Sequence, residues 1–206
     1  MTSSIFHSDQ FAQMDTRFRV NFFNSIAGFK SAVLVGTQSG DAQANLAIFS
    51  SLFHMGSKPA LFGMLFRPSD EMPRHTLSNI EETGFYTLNN ILPSFAQQAH
   101  QTSAKYAKGV SEFEICGFEK EYLSHFEAPF VKQSTIRMGM KWLETIPIKH
   151  NNTALVIGEV VLANVPTDLI QKDGLVDIEK AGSMTVSGLD SYHITQRIAR
   201  YEYARP

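Results

Sequence analysis

The fold is most constrained by two runs, residues 139–148 and 153–166, separated by Lys149-His150-Asn151-Asn152. The second run, TALVIGEVVLANVP, is crowded with Val, Leu and Ile. β-Branched side chains lose rotamer freedom in a helix and pack well on a pleated surface. Two such runs around a short polar turn predict a long antiparallel hairpin. A lone hairpin is marginal in water, so the remaining chain has to supply further strands and a cover.

It does so in pieces. Residues 31–37 (SAVLVGT) predict a buried strand, Gln38-Ser39-Gly40-Asp41 a turn, and residues 42–50 (AQANLAIFS) the returning strand. Ser57-Lys58-Pro59 is a break before another apolar run, 60–66 (ALFGMLF). Residues 85–91 predict a strand, and 184–187 a last short one before an exposed basic and aromatic tail. Helical signals are short. Phe18, Phe22, Ile26 and Phe29 predict a helix from about 18 to 27 that ends near Gly28. Residues 77–83 predict a second, with Thr76 as N-cap and Gly84 as the residue past its end. Residues 95–102 predict a third; 105–129 read as mixed, and 168–173 as a loop or short helix. The expected fold is mainly β, an antiparallel barrel with short helical decorations, in a single domain over 1–206.

Composition narrows the partners. The net charge is −2, so the basic surface that nucleic acid or an anionic membrane requires is not expected. No run approaches the length of a spanning helix, and residues 1–10 are polar. Cys116 is the single cysteine, which excludes an intrachain disulfide and a Cys-rich metal site. A cytoplasmic protein is the expectation. Sixteen Phe against one Trp supply aromatic area that a flat ligand can share.

Common catalytic signatures are missing. The sequence has no G-x-G-x-x-G, no phosphate loop of the G-x-x-x-x-G-K-[ST] type, no H-E-x-x-H and no G-x-S-x-G. Two stretches carry chemistry. Asn45-Leu46-Ala47-Ile48-Phe49-Ser50-Ser51 runs from strand alternation into adjacent hydroxyls. It reads either as a cradle for a phosphate or amide edge or as an ordinary strand end with Ser in the turn. Arg67-Pro68 through Pro73-Arg74-His75-Thr76 sets two guanidinium groups, an imidazole and a hydroxyl beside a predicted helix start. Guanidinium forks and free helix N–H groups suit a phosphomonoester; a solvated basic loop with a cap is the alternative. His54 reads as a hydrogen-bonded structural residue, Trp142 as core or interface, and Cys116 as a core or loop thiol.

The order of these stretches resembles the flavin reductase-like family of FMN-binding split-barrel proteins. The resemblance rests on Asn24-Ser25 and Gly28-Phe29-Lys30-Ser31, on Asn45 to Ser51, on Pro59, and on Arg74-His75-Thr76-Leu77-Ser78-Asn79-Ile80 leading into Thr83-Gly84. It continues through Gln98-Ala99-His100-Gln101-Thr102-Ser103-Ala104-Lys105-Tyr106, Val110-Ser111-Glu112-Phe113-Glu114, Ala128-Pro129 and Ile157-Gly158-Glu159-Val160. The chain departs from the family pattern at Arg74-His75, where many members have Asp or Lys before the Thr.

The resemblance implies a homodimeric split barrel with FMN at or near the subunit interface. It places Asn45, Ala47, Ile48, Phe49, Ser50 and Ser51 along the ring and ribityl chain. Arg67, Arg74, His75 and Thr76 fall at the phosphate. The segment with His100, Thr102 and Ser103 closes over the flavin, and Tyr192 or His193 lines the substrate face. The implied activity is an NAD(P)H-dependent flavin reductase, with NADH or NADPH as transient donor and no catalytic dyad required. The alternatives are an FMN-binding electron carrier serving a partner protein, and a split barrel holding haem or a deazaflavin.

Overall fold

The computed structural model describes residues 2–68, 75–107 and 109–205. Its centre is a seven-stranded antiparallel sheet, and the predicted hairpin is its spine. The hairpin strands are β9 (Arg137–Ile148) and β10 (Thr153–Asn164). Their turn is fixed locally: Asn151 Oδ1 accepts from the Thr153 N–H at 3.2 Å and from its hydroxyl at 2.7 Å.

The strands before the hairpin are β1 (Lys30–Ser31), β2 (Val33–Gln38), β3 (Ala44–Phe49), β4 (Leu52–Ser57), β5 (Ala60–Phe66), β6 (Phe85–Asn90), β7 (Lys120–Glu121) and β8 (Phe130–Val131). Two follow it, β11 (Met184–Ser187) and β12 (Ser191–Ile194). The order in the large sheet is β3-β2-β6-β9-β10-β5-β4. Strands β3 and β4 thus stand at opposite edges, yet only Ser50 and Ser51 separate them in the chain. Three Cα–Cα steps reach at most about 11 Å. The sheet therefore has to curl until its edges meet. No ladder joins those edges, so the barrel is split along β3 and β4.

Alternation along β2 sorts the core into two layers. Val33 and Val35 point into the barrel with Met64, Phe66, Tyr86, Leu88, Met140 and Val156, joined by Ile80. Ala32 and Leu34 point outward, where Leu46, Phe95, Phe113, Phe118 and Val131 cover them. Buried on both faces, β2 shows no polar alternation, which is why it reads as a continuous apolar run. Gly158 makes room inside: a Cβ there would lie 2.1 Å from the Tyr86 hydroxyl oxygen.

The helices are α1 (Ser8–Gln13), α2 (Thr16–Ile26), α3 (His75–Thr83), α4 (Ala96–Gln101) and α5 (Glu112–Ile115). Asp15 caps α2 through the Arg17 and Phe18 N–H groups. Gly28 and Gly84 take positive φ past the ends of α2 and α3. Thr76 is not the N-cap expected from sequence. It lies within α3, which already includes His75, so its side chain is free to face inward. Strands β4 and β12 were not expected either; β4 is an edge strand with mostly exposed side chains. Beyond β12 the tail, 196–205, is exposed as anticipated and is held by Arg197 on Asp177 and Arg200 on Asp173. No helix among the described residues is long and apolar enough to cross a membrane.

Candidate functional site

The seam of the barrel opens into a cleft of about 1290 Å³. Along one wall run Ala47, Ile48, Phe49, Ser50 and Ser51, where β3 hands over to β4. Phe49 turns toward the barrel interior, its ring centroid 4.8 Å from that of Phe66. Ser51 is committed to the fold: its hydroxyl donates to the Leu65 carbonyl at 2.8 Å and accepts from the Leu65 N–H at 3.2 Å. Ser50 has no such hydrogen bond among the described residues and lines the cleft.

At one end stand Arg67, directly after β5, and His75 and Thr76 in the first turn of α3. The early N–H groups of a helix lack intrahelical acceptors, which adds partial positive charge there. Thr76 is buried and meets Asn45 of β3, Thr76 Oγ1 lying 3.1 Å from the Asn45 amide. Arg74 was also expected here; it lies outside the described residues.

Further lining comes from α4 and the loop after it. His100, Thr102 and Ser103 all line the cleft. Thr102 is buried, and its hydroxyl donates back to the Ala99 carbonyl at 2.8 Å, so it shapes the wall and is spoken for. His100 meets Tyr192 of β12, with Nδ1 3.0 Å from the phenol oxygen. Burial, and then the nearby Asp190 carboxylate, raise the Tyr192 phenol above its usual pKa, so it stays protonated. His193, the other residue expected on the substrate face, does not line the cleft. Adjacent residues on a strand face opposite ways, and His193 instead lies 2.8 Å from the Ser187 hydroxyl and packs on Phe29.

Four charged residues in the cleft, Lys30, Lys105, Glu112 and Asp190, carried no role in the sequence reading. Lys30 Nζ donates to the Gly188 carbonyl at 2.8 Å and to Asn24 Oδ1 at 3.4 Å. Burial, then the Arg67 guanidinium, lower its pKa. Asp190 lies near Tyr192. Glu112 is 9 % exposed and accepts the Leu46 N–H at 3.1 Å. Lys30 and Glu112 both fall inside stretches quoted for the resemblance. What the sequence lacked was any sign that α5 folds its carboxylate over β3, 66 residues away.

The remaining candidates are structural. His54 lies off this cleft, edge-on to Phe62. Trp142 leans on the barrel core and donates to Thr145 Oγ1 at 3.1 Å. Cys116 is buried, with its thiol pKa pushed up by burial, so it is a poor thiolate nucleophile. Among the described residues no three His, Cys, Asp or Glu side chains gather as metal ligands.

The donor set suits a flat ligand bearing a phosphomonoester. It offers an aromatic and backbone wall, the Ser50 hydroxyl along it, and a guanidinium, an imidazole and helix N–H groups at the end. Comparison with known proteins identifies the family. The family model described as Flavin reductase like domain matches residues 26–182. A structure from Shewanella frigidimarina NCIMB 400, described as a flavin reductase with split barrel domain, is 44% identical; the match covers 98% of this chain and 100% of that one, with a TM-score of 0.94. Nitrilotriacetate monooxygenase component B from Bacillus cereus shares the fold at 17% identity, covering 98% of this chain and 100% of that one, TM-score 0.84. The 2-nitrobenzoate 2-nitroreductase NbaA of Pseudomonas fluorescens does so at 19%, covering 98% and 96%, TM-score 0.80. No curated protein sequence matches. With the family model spanning most of its length and the split barrel in place, this chain belongs to the flavin reductase-like domain family.

Proposed function

We propose that the cleft binds FMN and that the protein is an NAD(P)H-dependent flavin reductase acting as a homodimer in the cytoplasm. One observation carries the reading. The seam stretch, Ala47 to Ser51, and the cationic end, Arg67, His75 and Thr76, open into one continuous cleft although they are distant in sequence. Bound flavin supplies the two-electron chemistry. The chain's own residues position it and leave one face accessible.

In this reading Arg67 and Arg74, with His75, Thr76 and the first N–H groups of α3, hold the phosphate. Ser50 and the backbone of 47–51 meet the ribityl chain and ring edge. His100, Thr102 and Ser103 limit water on the other side, and Tyr192 marks where the donor stacks. Lys30 adds a cation near Arg67 that suits the phosphates of a nicotinamide dinucleotide. The dimer is supported by α1 and α2, which bury no residue although Phe18 is 52% and Ile26 61% exposed. An apolar aromatic surface of that kind marks an interface.

The test is an absorption spectrum of the purified protein with FMN, followed by anaerobic NADH and then NADPH. A bound flavin that bleaches with either donor is the expected result. A bound flavin that stays oxidised with both favours the electron carrier. Absence of flavin binding overturns the reading.

A further inference from the structure

Glu112, Asn45 and Thr76 are each at least nine-tenths buried, and each lines the cleft. They form a chain: Glu112 Oε2 sits 3.2 Å from the Asn45 side-chain amide, whose other end sits 3.1 Å from Thr76 Oγ1. Asn45 can be seated in this chain in two orientations related by exchange of its amide oxygen and nitrogen.

The two orientations correspond to two protonation states. With Glu112 ionised, Asn45 Nδ2 donates to the carboxylate. Asn45 Oδ1 then accepts from the Thr76 hydroxyl at 3.1 Å and from the Leu46 N–H at 3.2 Å. The Thr76 proton is consumed inside the protein. With Glu112 protonated, its O–H donates to Asn45 Oδ1, and Asn45 Nδ2 donates to Thr76 Oγ1. The Thr76 proton is then free to point at a ligand. That arrangement also turns Nδ2 toward the Leu46 nitrogen, so an anion at Thr76 is needed to favour it.

We propose that Glu112 is the positioning residue of the phosphate end: through Asn45 its proton decides whether Thr76 donates to an anion, and so how strongly the site prefers a phosphorylated flavin to an unphosphorylated one. The proposal rests on the flavin reading of the cleft. Burial pushes the Glu112 carboxyl above its usual range, opposed by the Leu46 N–H, by its own N–H and by nearby His75. The groups facing it are His75 of α3 and Cys116 farther along its own chain, with Lys105 on the loop lining the same cleft; β3 brings Asn45 and Leu46, neither of which titrates. No covalent step is involved. One proton is taken up as phosphate binds, and by linkage the same proton strengthens phosphate binding.

The experiment measures FMN and riboflavin affinities by flavin fluorescence, on the whole protein and on E112Q, across roughly pH 5 to 8.5. Oε2 is the single atom that meets both the Leu46 N–H and the Asn45 amide, so in E112Q the Gln oxygen takes that place and accepts from both, as the ionised carboxylate does. The wild-type FMN-to-riboflavin affinity ratio should fall about tenfold as pH rises, the loss of one hydrogen bond to a charged group. In E112Q the ratio should hold near its wild-type alkaline value across the range. The phosphate's own ionisation acts in both proteins, so the difference between them isolates Glu112. Thr76→Val, which keeps the shape and removes the donor, should hold the ratio at its wild-type alkaline value. Over the range in which the wild-type ratio falls, FMN binding should take up more protons in the wild type than in E112Q, and riboflavin binding should show no such difference. An E112Q ratio that follows the wild-type pH curve, or rests at its acid value, overturns the proposal while leaving flavin binding intact. Binding of neither flavin by the wild type overturns the underlying reading and the proposal with it.

Discussion

The inside of the barrel and the cleft at its seam are built from the same strands on opposite principles. Inside, Val35, Tyr86, Leu88, Met140 and Val156 are at most 1% exposed and interlock without a charged group. At the seam, Glu112, Asn45, Thr76, Lys30 and Arg67 bring formal charge and hydrogen-bonding groups to a surface left open on one side. Close packing tolerates almost no change of volume. A polar cleft tolerates change of shape but not of proton or charge count. The contrast teaches that stability and ligand selection are separable here, and it says where mutations should register.

The largest effect should come from the interior. Gly158→Val forces a side chain into the Tyr86 hydroxyl and should cost about 3 kcal/mol or more of unfolding free energy by urea titration. Tyr86→Phe in the same background should recover part of it. Full stability in the single variant would break the picture of a filled barrel. Next is the buried polar strut on the outward face of β6. Asn89 Nδ2 donates to the Leu34 carbonyl at 3.1 Å, and its oxygen accepts the Val131 N–H at 3.0 Å. Asn89→Leu leaves both unpaired and should cost about 2 to 3 kcal/mol in the same measurement. Crossing to the seam, Arg67→Ala should leave the unfolding midpoint alone and weaken FMN by about 1.5 to 3 kcal/mol, with riboflavin hardly changed. Equal loss for both flavins would move the phosphate elsewhere.

The smallest effect is a slope. The folded pKa of Glu112 is raised above the ordinary 4.5. Below that ordinary value both folded and unfolded chains hold the proton, and burial of the carboxyl carries no charge penalty. As pH rises through 4.5 toward the folded value, the unfolded chain releases its proton first, so the native state loses stability over that window. E112Q has no such proton. Its stability relative to wild type should therefore rise from acid toward neutral pH, read from urea midpoints. A flat difference would mean the carboxyl is better solvated than its burial indicates.

Legibility from sequence follows the same divide. Strands β9 and β10 were readable because long β-branched runs leave few options, and β2 because burial on both faces writes an unbroken apolar run. Strand β4 was not. Its sequence, LFHMGS, lies on the sheet edge with little buried, and its pairing is dictated by β5 across the turn. Thr76 reads as a cap because hydroxyls favour that position; only the tertiary contact with Asn45 shows why it belongs one step inside. The candidate binding stretches were legible as chemistry with ordinary structural alternatives, and family likeness supplied their proposed arrangement. Lys30 and Glu112 stayed silent, since a charge has no evident role until its neighbours are known. Strand parity, which sent Tyr192 to the cleft and His193 away from it, depends on a register that no local pattern in SYHI reveals.

The two-residue handover at Ser50 and Ser51 has a mechanical consequence. A closed ring of hydrogen-bonded strands resists widening everywhere, whereas this ring has a single circumferential gap, between β3 and β4. Its compliance is concentrated there, with the serine link acting as the hinge pin. A flat molecule seated in the gap stands where the missing rungs would be. The liganded protein should therefore behave as the stiffer cylinder and the free protein as a clasp.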